Sequence, residues 1–270
     1  MAQHPFPTQI VDENVIQFIR VRYRGETPLE EAIEAYNKLP DFKINENIFD
    51  IIGNSEENIR YSRDIHQIAR LVTQYYTTMM FKAMKIDLTD ENVKEDLSDG
   101  NIGTPGRVAK LWLGANITDD AELMSGRWTK KPRMAAFPNT HKQRLPITKR
   151  VDLNAVCSHH TAIFSSFYRE DAYAVVSYVP DEYVLGISKL QRVVDWVARR
   201  GWLQEDLCQQ IYNEIAKVAN TDTVYVKLNN IVHSCERNRG AQSCDGAFTT
   251  ECYGGDFENE NLRRQVLEGM

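Results

Sequence analysis

Two short segments of the chain concentrate the residues able to do chemistry: Val156-Cys157-Ser158-His159-His160 and Val232-His233-Ser234-Cys235. Cys157 and His160 are spaced C-x2-H, a common pairing of metal ligands, and Cys235 could join them from a distant strand to complete a Cys2His set. No C-x2-C knuckle accompanies them, so the pattern is not that of a structural zinc finger. Three protein ligands leave a fourth tetrahedral position for water, which a catalytic zinc acidifies toward neutral pH. His159 and His233 then stand beside the ligands as the general acid and base that hydrolysis needs. A plainer reading stays open on the residues alone, because a cysteine is often a small buried hydrophobe and a His-His pair a polar strand end. Cys208 falls in an amphipathic stretch and reads as core; Cys244 and Cys252 read as structural.

Elements of two kinds must position these residues. The N-terminal part reads helical. A short helix follows Thr27-Pro28, with threonine as cap and proline in the first position. A longer one runs from Ser62 to about Met84, with Ile65, Ala69, Val72, Tyr76, Met79, Met80 and Ala83 recurring at three- and four-residue steps. A third begins at Thr104-Pro105. Between Asn116 and Lys149 periodicity is weak, which predicts a long exposed connection. From Ile147 the pattern shortens to strand-like runs at Arg150–Val156, Thr161–Tyr168 and Ala172–Val179. Two helices follow, one capped by Ser188 with Leu190, Val193, Val194 and Val197 inward, the other starting near Gln204 with Leu207, Ile211, Ile215 and Val218 inward. Strands at Thr223–Leu228 and around Gly246–Glu251 complete the pattern, and the tail is charged, a surface helix or a frayed end. The chain is therefore an α+β protein. It divides into an N-terminal helical region (1–100), a helix and long connection (101–146), a catalytic domain (147–256) and a charged tail (257–270).

Composition narrows the partners. Of 270 residues, 42% are hydrophobic and 26% charged, the balance of a soluble globular chain. A net charge of −6 gives no reason to expect a bulk nucleic-acid or membrane surface. No apolar run reaches the ~18–20 residues that span a bilayer, and the first residues lack the basic and apolar regions of a signal peptide. Five cysteines are too few, and odd in number, for a disulfide framework. The expectation is a cytoplasmic protein without nucleic-acid or membrane partners.

Five motifs, in order, carry a resemblance to the GTP cyclohydrolase I family. Thr104-Pro105-Gly106-Arg107-Val108-Ala109-Lys110 resembles its T-P-x-R-V-A-K, and Cys157-Ser158-His159-His160 its C-E-H-H. Tyr178 through Arg192, with Gly186, Ser188 and Lys189, is similar to Y-I-P…G-L-S-K-x-x-R. Ala198 through Leu207 is similar to A-x-R-x-Q-x-Q-E-x-L, with Trp202 at the first glutamine. His233-Ser234-Cys235 followed by Arg239-Gly240 resembles H-x-C…R-G. Together they cover roughly residues 101–255, and residues 1–60 add little to the likeness.

The resemblance implies the tunnelling fold: an antiparallel four-stranded sheet with two helices on one face, assembling with neighbours into a barrel, here preceded by N-terminal helices. It implies a homodecamer of two pentamers with active sites between subunits. Cys157, His160 and Cys235 would hold Zn2+, and His159 and His233 would be catalytic. Glu205 would accept hydrogen bonds from guanine, with Ser188 near the ribose and phosphate end. Lys189, Arg192, Arg239, Arg107 and Lys110 would meet the triphosphate of GTP. The implied reaction is hydrolysis at guanine C8, ring opening, release of formate and rearrangement to 7,8-dihydroneopterin triphosphate. Ser158 departs from the family glutamate, a change that bears on the orientation of its neighbours. Two alternatives go with it: a cyclohydrolase of the same fold that stops at a ring-opened pyrimidine, and a non-catalytic, zinc-containing purine-binding assembly protein.

Overall fold

The computed structural model describes residues 9–96, 102–117, 122–238 and 246–270. The chain forms two compact units, Met1–Lys130 and Lys131–Met270, so the division falls inside the segment that the sequence reads as a connection.

The first unit is helical: α1 (Glu13–Arg22), α2 (Leu29–Lys38), α3 (Ile48–Ile52), α4 (Glu56–Ala83) and α5 (Gly103–Leu113). Asp12, Asn47 and Ser55 accept hydrogen bonds from backbone N–H groups in the first turns of α1, α3 and α4, satisfying donors that a helix leaves unpaired. Because Ser55 supplies the cap, α4 starts six residues before the Ser62 start predicted from periodicity. Neither α2 nor α5 has a side-chain cap. Pro105 instead sits in the first turn of α5, where a missing N–H costs nothing. The buried face of α4 is Ile65, Ile68, Ala69 and Leu71. Tyr76 and Met80, expected on that face, are 58% and 49% exposed, while Gln74 and Thr77 at the same level of the helix are buried, so the covered side has shifted. The supposed exposed connection is partly core as well: Met124 and Trp128 are buried, and Asn47 Nδ2 donates to the carbonyls of Gly126 and Thr129.

The second unit pairs β1 (Ala136–Pro138) with β6 (Tyr183–Leu185) and builds a larger mixed sheet. Its strands are β2 (Ile147–Val151), β3 (Asn154–Cys157), β4 (Ile163–Ser165), β5 (Tyr173–Tyr178), β7 (Gly201–Trp202), β8 (Val224–His233) and β9 (Phe248–Tyr253). They run in the order β2-β5-β8-β4-β3-β7, with β9 also on β8. All pairs are antiparallel except β3 with β7. Strands β2, β5, β8 and β9 form an antiparallel four-stranded group, as expected. The sheet is larger than that because the ten-residue β8 runs past β5 and pairs its last two residues with β4. The run read as one strand over Arg150–Val156 breaks between β2 and β3. There Ser166 Oγ accepts the Leu153 N–H at 2.9 Å and Ser165 Oγ donates to the Leu153 carbonyl at 3.0 Å.

Side chains alternate along each strand, and both faces of β5 are used. Ala174, Val176 and Tyr178 meet α6 (Ile187–Ala198) and α7 (Gln204–Ala219), whose Leu190, Val193, Val194, Val197, Leu207, Ile211 and Ile215 form the main core. Val175 on the other face packs with Tyr225, Phe257 and Val266. The charged tail is thus anchored: Gly255 at φ +57 turns the chain where a Cβ would lie 2.3 Å from Thr223 Oγ1. Phe257 is then fully buried, and α9 (Glu260–Glu268) delivers Val266.

Candidate active site

The ends of β3 and β8 and the start of α7 meet at one end of the mixed sheet. Cys157 is the last residue of β3 and is buried. The Cys157 N–H donates to the Ala162 carbonyl and the Thr161 N–H to the Cys157 carbonyl, both at 2.8 Å. These bonds close a tight turn, with Thr161 at φ +52, that carries His159 and His160 out as exposed side chains. The parallel pairing of Cys157 with Trp202, extended by a Ser158 N–H to Trp202 carbonyl bond of 3.0 Å, brings the start of α7 alongside. Gln204 and Glu205 arrive by that route. The end of β8 lies opposite β4, with His233 paired to Phe164, and leads into the short helix α8 (Ser234–Asn238) that holds Cys235. Ser234 Oγ fixes that junction by donating to the Ile163 carbonyl at 2.7 Å.

The result is a cavity of about 350 Å³ lined by Cys157, His159, His160, Glu205, His233 and Cys235, together with Leu203, Gln204, Glu236 and Phe248. Six predicted site residues, far apart in sequence, therefore share one pocket. His233 is held on three sides. Its ring stacks on Phe164 (4.6 Å between centroids, 4° between planes) and meets Phe248 edge-on at 5.3 Å. Its Nε2 is 2.8 Å from Gln204 Oε1. The Gln204 amide nitrogen donates to the Phe248 carbonyl and to Thr250 Oγ1. That fixes the amide orientation and makes His233 Nε2 the donor to Oε1. Burial lowers the His233 pKa below its ordinary value, against the pull of Glu205 and Glu236, which favours the neutral ring.

Burial also pushes the Cys235 thiol up, and Cys157 beside it adds to the effect. Among the described residues no three His, Cys, Asp or Glu side chains are drawn close enough together to hold an ion. The donor set nevertheless suits a borderline-soft metal: two thiols and an imidazole line one pocket. In the same pocket Glu236 Oε2 is buried without a hydrogen-bond partner among the described residues, a polar atom left for something to meet.

The other predicted residues lie elsewhere. Ser188, Lys189 and Arg192 occupy the first turns of α6 and do not line the cavity. Arg107 and Lys110 are on α5 of the first unit, where an Arg107 terminal nitrogen donates to the Asn92 carbonyl and Thr104 Oγ1. Arg239 lies outside the described residues. Sequence reasoning passed over Gln204, Phe164 and Phe248 as site residues. Gln204 was visible beside Glu205 in its motif, but the two phenylalanines carry no signal without strand register. Trp202, the departure in that motif, is structural: its Nε1 donates to the Val197 carbonyl at 2.7 Å.

The family model for GTP cyclohydrolase I matches residues 80–270. The chain is similar to the GTP cyclohydrolase 1 of Klebsiella pneumoniae subsp. pneumoniae, 31% identical over 204 residues, covering 74% of this chain and 82% of that protein. It is also similar to those of Blochmanniella pennsylvanica (31% over 175 residues, 64% and 73%) and Citrobacter koseri (30% over 204 residues, 74% and 82%). Among solved structures, the archaeosine synthase QueF-Like in its apo form matches with a TM-score of 0.32 and 17% identity, over 41% of this chain and 93% of that one, too slight a likeness to bear on function.

Proposed function

This chain belongs to the GTP cyclohydrolase I family, an enzyme family of hydrolase type, and on that premise we propose that it converts GTP and water to 7,8-dihydroneopterin triphosphate and formate. The observation that carries the reading is the shared pocket of Cys157, His159, His160, Glu205, His233 and Cys235. Cys157, His160 and Cys235 would hold Zn2+. Bound there, the metal supplies Lewis acidity that activates water for hydrolysis.

The remaining roles belong to side chains of the protein. Glu205 lines the cavity and, as an ionised carboxylate, only accepts hydrogen bonds. Guanine offers two adjacent donors, N1–H and the 2-amino group, so the pair gives a charge-assisted, two-point contact. His233, with Nε2 committed to Gln204, has Nδ1 left for proton exchange with the purine. His159, on the exposed turn, would make a second proton transfer as the imidazole ring opens and formate leaves. Ser188, Lys189, Arg192, Arg239, Arg107 and Lys110 would serve the ribose and triphosphate end.

Assembly would unite the two groups. Among the described residues β2 pairs only with β5 and β9 only with β8, so each edge of the four-stranded group can take a neighbouring strand. Such pairing would close the tunnelling-fold barrel, in a homodecamer with sites completed between subunits. The product decides the chemistry. After dephosphorylation and oxidation, a finished pterin fluoresces as neopterin does, whereas a ring-opened pyrimidine does not. Neopterin fluorescence is the expected result; GTP consumed without it would replace this reading by the truncated reaction.

A further inference from the structure

Behind the candidate site, α7 and β9 bring two thiols together. Cys208, in the second turn of α7, is fully buried, and its Sγ lies 3.6 Å from the Val226 carbonyl oxygen. Val226 is the ladder partner of Cys252 across β8 and β9. Paired residues of an antiparallel ladder share a face, with Cβ atoms about 4.5–5.5 Å apart. Val226 and Cys208 lie in the same helix-covered core, and Cys252 packs against it from β9, half-buried. Both cysteines are free. Four residues earlier on each element, Gln204 Nε2 donates to the Phe248 carbonyl at 3.2 Å. Helix and strand therefore run side by side from the pocket to the thiol pair.

We propose that Cys208 and Cys252 are an oxidisable dithiol, a modification site at which a small-molecule disulfide such as oxidised glutathione closes a covalent bridge between α7 and β9. The two thiols are unequal. Hydrogen bonding to Cys252, followed by burial, holds the proton on Cys208, and the same contact lowers the Cys252 thiol. Cys252, the more exposed, is then the nucleophile. Its thiolate attacks one sulfur of oxidised glutathione, and the glutathione S–S bond breaks as one glutathione leaves and takes a proton. The Cys208 thiol next gives up its proton and attacks the Cys252 sulfur, expelling the second glutathione. Two protein thiols are oxidised by two electrons, and one disulfide is reduced to two thiols. The bridge ties the first turns of α7, where Gln204 holds His233, to the strand whose Phe248 borders the same ring. It does not depend on the reaction proposed above.

The test equilibrates the full-length, zinc-supplemented protein in glutathione buffers from reducing to oxidising, with acid quenching, alkylation in denaturant and peptide mass spectrometry. A peptide linking Cys208 to Cys252 is expected in the oxidising buffers, with a melting temperature raised by roughly 5 °C. Cys252→Ser abolishes both effects, and Cys208→Ser leaves glutathione on Cys252 because the resolving thiol is gone. Recovery of both residues as alkylated thiols from the most oxidising buffer would overturn the proposal, as would linkage of Cys252 to any other cysteine. If the buried Cys208→Ser does not fold, the wild-type peptide map and the half-buried Cys252→Ser decide the matter.

Discussion

The two histidines to which catalysis is assigned sit in opposite surroundings. His233 is stacked on Phe164, edged by Phe248 and hydrogen-bonded to Gln204, all within the folded unit. His159 projects from a four-residue turn into solvent, with the His160 ring 6.1 Å away as its aromatic neighbour. One half of the pocket is therefore set by the core of a single chain. The other half stands on a turn open to solvent. The contrast follows from the backbone: a strand inside a sheet fixes its side chains more firmly than a surface turn does.

The largest effect expected is loss of the metal. Cys235→Ala, or chelation of the wild type, should take bound zinc from one per chain to none and turnover to background, as metal analysis beside a GTP-consumption assay would register. His233→Ala and His159→Ala should each lower turnover by roughly 10²–10⁴-fold, but they should separate in stability. His233→Ala empties a packed slot and strands the Gln204 carbonyl, costing about 1–3 kcal/mol, while His159→Ala stays within about 0.5 kcal/mol. Equal denaturation midpoints for the two variants would break the comparison. Gln204→Leu removes the partner that orients His233 and should lower kcat by about 10–100-fold with zinc retained; an unchanged kcat would make that bond incidental. The smallest effect belongs to Lys189→Ala at the exposed start of α6. It should raise KM for GTP several-fold and leave kcat alone, as loss of a contact made equally in ground and transition states requires.

How much of this was legible in the sequence depended on what each residue does. Cys157, His159, His160, His233 and Cys235 announced themselves by type and spacing, Glu205 only through the family resemblance, and one pocket collects all six. Helices α6 and α7 were legible too, because Leu190, Val193, Leu207 and Ile211 repeat with the helical period and bury accordingly. The sheet was read as too small, because Asn229-Asn230 reads as the end of a strand at Leu228, whereas β8 runs on to His233 and there pairs with β4. Phe257 and Val266 were hidden among charges in the tail, although they close the second face of the sheet. Replacing Phe257 by alanine should cost about 3–5 kcal/mol, more than a frayed end could lose. Tyr76 and Met80 kept the helical period and yet lie in solvent, since periodicity says which residues share a face and not what covers it.

The account rests most heavily on the claim that this pocket opens the guanine ring at C8. Zinc-loaded protein incubated with GTP labelled at C8 tests that claim most directly, with formate and nucleotide followed by mass spectrometry. The prediction is one labelled formate for each GTP consumed and a pterin triphosphate without the label. GTP left intact with no formate released would contradict it.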